Sequence, residues 1–210
     1  MVTLLLVSAI VSGQSVSVQN GNIFITERGV TSRAITDSGK DSEPSLSVDG
    51  KRVVFLRAIE EAEGVGVPRV VVNELWTATE MESPKRVYSG LIVLPDGTKS
   101  KGFSQPRFSP DNQRIYFLVD YSATYPALCK LDIGSAQAQF LSPAVDFAVL
   151  QAGSHKGFIV AAIRSLSEPD TGGDRFPIYP YYLLRPDGSR ESRIADEDAR
   201  IEDVVEKYSH

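Results

Sequence analysis

A chain of 210 residues with 42% apolar and 23% charged side chains, 16 glycines and 12 prolines has the make-up of one globular domain or two small ones; it excludes a disordered, collagenous or multispanning membrane protein. Acidic side chains outnumber basic ones by 27 to 22, and the net charge of −5 gives no general attraction to nucleic acid or anionic lipid. A sizeable core is affordable, but composition names no activity.

Residues 1–13 are uncharged and mostly apolar, and small residues at Ser12, Gly13 and Ser15 suit removal of a leader after Gly13. The run is shorter than the roughly 20 residues that span a bilayer, and it lacks a basic n-region. It reads as a signal peptide, placing the protein in the periplasm or outside the cell, or alternatively as a buried first strand continuing into the alternation Ser15-Val16-Ser17-Val18. Cys129 is the only cysteine, so no internal disulfide and no multi-cysteine zinc site can form; its strand-like surroundings mark it as a small buried hydrophobe.

Further along, 22–26 pairs plausibly with 33–36, and the stretch 42–55 then introduces a repeat. Ser42-Glu43-Pro44-Ser45-Leu46-Ser47-Val48-Asp49-Gly50-Lys51-Arg52-Val53-Val54-Phe55 recurs without a gap, 62 residues later, as Ser104-Gln105-Pro106-Arg107-Phe108-Ser109-Pro110-Asp111-Asn112-Gln113-Arg114-Ile115-Tyr116-Phe117. Each copy reads as two strands around a tight turn. Proline opens the first strand, where a missing N–H is tolerated; Asp49 or Asp111 bonds backbone N–H groups two residues on, and Gly50 or Asn112 accepts positive φ. The second strand is nearly continuous in apolar residues, the mark of a strand covered on both faces. Weaker pairs follow each hairpin, 74–77 with 86–88 and 127–131 with 137–141. A degenerate third hairpin runs through 147–150 and 158–163, followed by 182–184 with 192–194. The cycle is four strands long, with no helix before residue 195. The expectation is an all-β, small or partial β-propeller of about four four-stranded antiparallel blades over 14–195. In the acidic segment 196–210, Ile201, Val204, Val205 and Tyr208 have helical spacing and predict a short amphipathic helix capping the open end of the array.

The turns Ser47-Val48-Asp49-Gly50-Lys51 and Ser109-Pro110-Asp111-Asn112-Gln113, with Glu43-Pro44 upstream and Phe55 closing the strand, resemble the TolB-like, WD-like β-propeller repeat family; Glu74-Leu75-Trp76 resembles its third strand. Val48 departs from the usual proline and Asn112 from the usual glycine. The resemblance implies a propeller associating with other proteins of the cell envelope. The chain is too short for the namesake's complete propeller plus its additional domain, so the ring is either small and capped or completed by a second copy.

Chemistry-bearing residues are few. His155 and the terminal His210 are the only histidines, no Gly-x-Ser-x-Gly elbow exists, and the nearest stretch, Gly102-Phe103-Ser104-Gln105-Pro106, lacks the final glycine. His155 reads as a solvent-facing turn residue. Glu60, Glu61 and Glu63, and Asp170 with Asp174, are loop carboxylates without EF-hand spacing, read as solvated. No cofactor, metal or catalytic constellation is expected. Asp49, Gly50, Asp111 and Asn112 are assigned to turn formation. In a four-stranded meander the connections after the second and fourth strands share a face, which gathers the long loops 58–70, 90–105 and 165–180. Asp170, Asp174, Phe176, Tyr179 and Tyr181 on that face are the predicted contacts for a protein partner, the alternatives being a small-molecule or glycan ligand, or aromatic side chains that simply plug the domain.

Overall fold

The computed structural model describes residues 13–27, 32–61, 70–100, 102–121, 125–169 and 173–210; the predicted leader, apart from Gly13, lies outside the described residues. The first sheet comprises β1 (Gln14–Gln19), β2 (Asn22–Glu27) and β3 (Arg33–Ala34). The second is β4 (Asp41–Leu46), β5 (Arg52–Glu61), β6 (Val70–Thr79) and β7 (Lys85–Tyr88). A ribbon of β8 (Ile92–Val93) and β9 (Lys99–Ser100) precedes the third sheet, β10 (Phe103–Phe108), β11 (Arg114–Asp120), β12 (Pro126–Asp132) and β13 (Gln137–Pro143). The fourth sheet begins with β14 (Asp146–Val149) and β15 (Ile159–Ala162), is interrupted by the ribbon β16 (Ser165–Leu166) and β17 (Pro177–Ile178), and ends with β18 (Tyr181–Leu184) and β19 (Arg190–Ala195). Helix α1 (Ile201–Tyr208) closes the chain. All strand pairs are antiparallel neighbours. The expected repeat of four-stranded blades is thus present three times, preceded by a three-stranded sheet.

The two repeat copies fold alike for local reasons. The Ser47 hydroxyl donates to Asp49 Oδ1 at 2.7 Å and accepts from the Arg52 N–H at 2.9 Å, while Asp49 Oδ1 also accepts from the Lys51 N–H. Ser109, Asp111, Gln113 and Arg114 repeat these bonds at 2.5, 3.0 and 2.9 Å. Gly50 and Asn112 hold φ of 69° and 56° at the same point of the turn. Upstream, Glu43 and Gln105 sit at positive φ where β4 and β10 slip register against their partners, so each inner strand bulges next to its proline.

The core lies between sheets. Val53, Val54, Phe55 and Leu56 are all sealed from solvent because β5 is the second strand of its sheet, flanked on both edges and packed on both faces. Val53 and Phe55 meet Val16, Ile23 and Ile25 of the first sheet; Val54 and Leu56 meet Phe108, Ile115 and Phe117 of the third. The opposite face of the third sheet, through Tyr116, Leu118 and Leu128, meets Phe147, Ile159 and Ala161 of the fourth. On the last outer face, Leu150, Val160, Ala162 and Leu183 are covered by α1, whose Val204 is buried and whose Ile201, Val205 and Tyr208 pack at the margin. The helix therefore sits where a further sheet would stack. It is shorter than the acidic segment, because Asp196 to Arg200 form a turn that leads into it.

Strand polarity orients the whole array. The β1–β2 turn lies beside the start of β4, with the Asp41 N–H donating to the Gly21 carbonyl at 2.7 Å. This places β1 and β2 in the second and third positions of their sheet and β3 in the fourth.

Candidate functional site

The connections after second and fourth strands emerge on one face, and two of them are built up into ribbons. In β8–β9, Ile92 and Leu94 are pulled into the core between the second and third sheets, so the alternating pleat turns Leu91 and Val93 outward, Val93 to 62% exposure. Leu166 of β16 and Phe176, just before β17, are exposed in the same manner, Phe176 to 56%. Val18, at the β1–β2 turn, shares this face. Among the described residues these five, with Met81 on the opposite face, are the large apolar side chains left exposed. A bridge joins the ribbons: Tyr121, next to Asp96 of the first ribbon, stacks edge-on with Tyr125 at 5.6 Å, and the Arg164 guanidinium at the root of the second ribbon lies 5.6 Å from the Tyr125 ring. Desolvation, then the Asp96 charge, holds the Tyr121 phenol above its ordinary range.

The predicted contact residues separate. Asp170 lies outside the described residues; Asp174 and Phe176 are exposed. The loop is closed by the Ser167 N–H donating to the Phe176 carbonyl and the Phe176 N–H to the Ser167 hydroxyl, at 2.9 and 3.0 Å. Tyr181 is a core residue: it is 8% exposed and belongs to the cluster under α1, its phenol raised first by burial and then by the charges of Asp146 and Glu202. Tyr179 packs at the margin of that cluster, with its N–H donating to Glu197 Oε2 at 3.0 Å. Tyr181 is thus buried in the fourth sheet rather than exposed on the loop face, Tyr179 is partly buried beside α1, and the outward aromatic is Phe176.

Other singled-out residues are structural. His155 is half-buried rather than solvent-facing, its ring edge-on to Phe158 and Tyr208 at 5.5 and 5.7 Å, so it fastens the end of α1 to the β14–β15 turn. Burial pushes the Cys129 thiol up to about 12, which leaves it un-ionised at neutral pH. Glu60 and Glu61 end strand β5 instead of lying in a loop, and Glu63 lies outside the described residues. Among the described residues no three His, Cys, Asp or Glu side chains converge as a metal site would require. Two shallow clefts lie on the surface. One of about 420 Å³ is bordered by Arg193, Asp196, Glu197 and Asp198 beside Ile178 and Pro180; the other, on the opposite face, is bordered by Ser109, Asp111, Arg114 and Lys156. Neither has the enclosing apolar walls of a small-molecule site.

A polar network went unforeseen. Asp41, Arg57 and Glu74 stand directly opposite one another on three adjacent strands. Arg57 binds Asp41 through two nitrogens, at 2.6 and 3.0 Å, and its guanidinium lies 4.3 Å from the Trp76 ring. Glu74 accepts from the Trp76 indole and from Arg86, both at 3.0 Å. Closer to the inner edge, Glu43 Oε2 accepts from the Gln105 N–H, the donor that the bulge frees. Burial lowers the pKa of neighbouring Arg107, opposed by the charges of Glu43 and Asp146. The signal was in the repeat: Asp41 and Arg57 occupy the positions of apolar Phe103 and Val119.

No protein-family model and no curated protein matches the chain. Solved structures do. The protein assigned as TolB in Agrobacterium tumefaciens superposes over 88% of this chain and 58% of its own, with a TM-score of 0.55 and 14% identity. The β-propeller domain of the Trilobed protease from Pyrococcus furiosus, described as having an open velcro topology, matches over 88% and 53% at 0.51 and 17% identity. Puromycin hydrolase matches over 83% of this chain but 27% of its own, at 0.52 and 16% identity. The fold is that of a β-propeller, and the chain spans between about half and three-fifths of the first two structures.

Proposed function

We propose that the chain is a non-catalytic, exported interaction module of the TolB-like propeller type, and that its ribbon face binds a protein partner of the cell envelope. The observation that carries this reading is the gathering of Val18, Leu91, Val93, Leu166 and Phe176 on one face, around the Tyr121–Tyr125–Arg164 bridge. Exposed apolar side chains gathered on one face among polar groups are characteristic of interaction surfaces. The match to puromycin hydrolase covers 27% of that chain. The Ser154 hydroxyl lies 3.1 Å from His155 Nδ1, but the pair are neighbours in the β14–β15 turn and the imidazole is packed against Phe158 and Tyr208. Export is supported by the apolar run 1–13 and the small residues after it.

Cross-linking in envelope extract tests the proposal. The native protein and Met81→Asp are expected to capture the same partner, while Val93→Asp with Phe176→Asp captures none, all three melting within a few degrees of one another. Equal capture by the ribbon variant would remove this face from the interaction. Labelling of the purified protein by an active-site hydrolase probe would overturn the non-catalytic reading.

A further inference from the structure

The two repeat copies share their turns but differ in what the arginine after the turn does. In the second sheet Arg52 ties its turn to the next sheet, donating from Nη2 to the Asn112 carbonyl at 3.1 Å, with its guanidinium 5.7 Å from the Phe108 ring. Arg114 holds the same place in the third sheet and meets a different neighbour. The turn of the fourth sheet is longer and runs through Gly153-Ser154-His155-Lys156-Gly157, and its link to the third is made by Gln151, whose Nε2 donates to the Phe108 carbonyl at 3.1 Å. Arg114 is thereby released from the bridging role. Among the described residues its guanidinium keeps a single polar contact, 3.4 Å to Asp111 Oδ2 of its own turn.

A second departure lies two residues on. Where β5 has Val54, β11 has Tyr116, which is 1% exposed and shares a cluster with Phe147 and Ile159 of the fourth sheet. Its phenol lies within reach of the Arg114 and Asp111 charges and donates to no acceptor among the described residues; burial pushes it up to about 12, so it stays protonated at neutral pH. Both departures meet in one place. Arg114, Tyr116 and Asp111, with Lys156 of the longer turn, line the cleft of about 310 Å³ on the face opposite the ribbons, walled by Pro110 and Pro186. Lys156 is exposed, and its ammonium pairs with no carboxylate among the described residues. Asp111 is committed to its turn, since its Oδ1 accepts from the Ser109 hydroxyl and the Gln113 N–H.

We propose that this cleft is a second binding site, which receives the carboxylate side chain of an acidic residue on a partner protein. Two cations against one carboxylate leave it a single net positive charge on a chain whose total is −5, so the attraction is local and is balanced by a monoanion. The Arg114 fork suits the two oxygens of a carboxylate, and the Lys156 ammonium and Tyr116 hydroxyl supply further donors. A shallow cleft buries too little of a free metabolite to hold it. A side chain arriving on a peptide adds contacts of its own backbone and neighbours along Pro110 and Pro186. The site lies away from the ribbons and does not rest on the ribbon-face reading.

The full chain is titrated at low salt, to millimolar concentration, with a fluorescent blocked peptide, Gly-Ser-Glu-Ser-Gly, with the same peptide carrying glutamine or phosphoserine in place of glutamate, and with acetate. The glutamate peptide is expected to bind about tenfold more tightly than the glutamine peptide or acetate. Arg114→Gln and Lys156→Gln should each weaken it about tenfold, and Tyr116→Phe, which keeps the ring, about fivefold. Lys51→Gln removes the same charge from the neighbouring turn of this face and should leave binding unchanged. Equal binding of the glutamate and glutamine peptides, tighter binding of the phosphoserine peptide, acetate binding as well as the peptide, or equal losses in Lys51→Gln and Lys156→Gln would each overturn the proposal. Lys156 is exposed, so its variant folds as the native protein does and decides the matter even where Arg114→Gln does not fold.

Discussion

Asn112 holds φ of 56° where the first repeat has Gly50, and its buried Oδ1 has no hydrogen-bond partner. Both facts cost stability: a left-handed backbone suits glycine better, and an orphaned buried acceptor has given up water for nothing. Asn112→Gly is expected to stabilise the fold by about 1 kcal/mol, a rise of roughly 2–4 °C in Tm for a chain of this size. The aspartates of the same turns act in the opposite sense. The Ser47 hydroxyl, with help from the Lys51 N–H, holds Asp49 below its ordinary value; at Asp111 desolvation pulls upward, but Ser109 and Gln113 more than offset it. A carboxylate depressed in the folded state contributes stability above its unfolded pKa and loses it as pH falls through the folded one. Asp49→Ala should therefore cost about 1–2 kcal/mol at pH 7, with the gap from the native protein closing below about pH 4 in urea melts. These turns were legible in the sequence because their chemistry is local: a hydroxyl, a carboxylate and two N–H groups within six residues. Tyr181 was misread for the complementary reason. A Tyr-Pro-Tyr-Tyr run looks the same in a loop as at the mouth of a strand, and only α1, twenty residues on, makes it core.

At the scale of a strand pair, the repeat offers a designed comparison. Asp41 and Arg57 of the second sheet stand where Phe103 and Val119 of the third make an apolar pair at the same register. The Asp41 side chain is fully buried and Arg57 nearly so. Removing one partner strands the other: Arg57→Met should cost about 3–5 kcal/mol, because an ionised carboxylate is left in a dry site. Asp41→Phe with Arg57→Val, which copies the third sheet, should recover most of that loss, and both variants are read by denaturant melts. A double variant as unstable as Arg57→Met would mean that the network, including Glu74, Trp76 and Arg86, is a functional feature of this sheet and not an interchangeable core. The two ribbons also belong to this scale. They were anticipated only as long loops, since two-residue strands carry no periodic signal, and what makes them ribbons is the tertiary anchoring of Ile92 and Leu94 between sheets.

Across the described residues the sheets stack so that each contacts its neighbours, and the outer face of the last is closed by a helix. Helix α1 is eight residues long, has no side-chain cap at Arg200 and fully buries only Val204, so it persists by docking and not by intrinsic helicity. The period of its apolar residues was enough to predict it; its register on β14 and β15 was not. Val204→Asp should detach the helix at a cost of about 2–4 kcal/mol, from the apolar area of Val204, Ile201 and Tyr208 returned to water. Glu206→Ala, on the exposed side, should change little. Because a stacked array approximates a sum of units and interfaces, the loss is expected to be local. Amides of β14, β15, β18 and β19 should exchange faster in Val204→Asp while those of β5 and β11 keep their protection, and the bared Leu150, Val160 and Leu183 should bind a hydrophobic dye and drive association as concentration rises. Uniform acceleration across all four sheets would instead mean that the array folds as one cooperative unit, with α1 acting as a clamp on the whole.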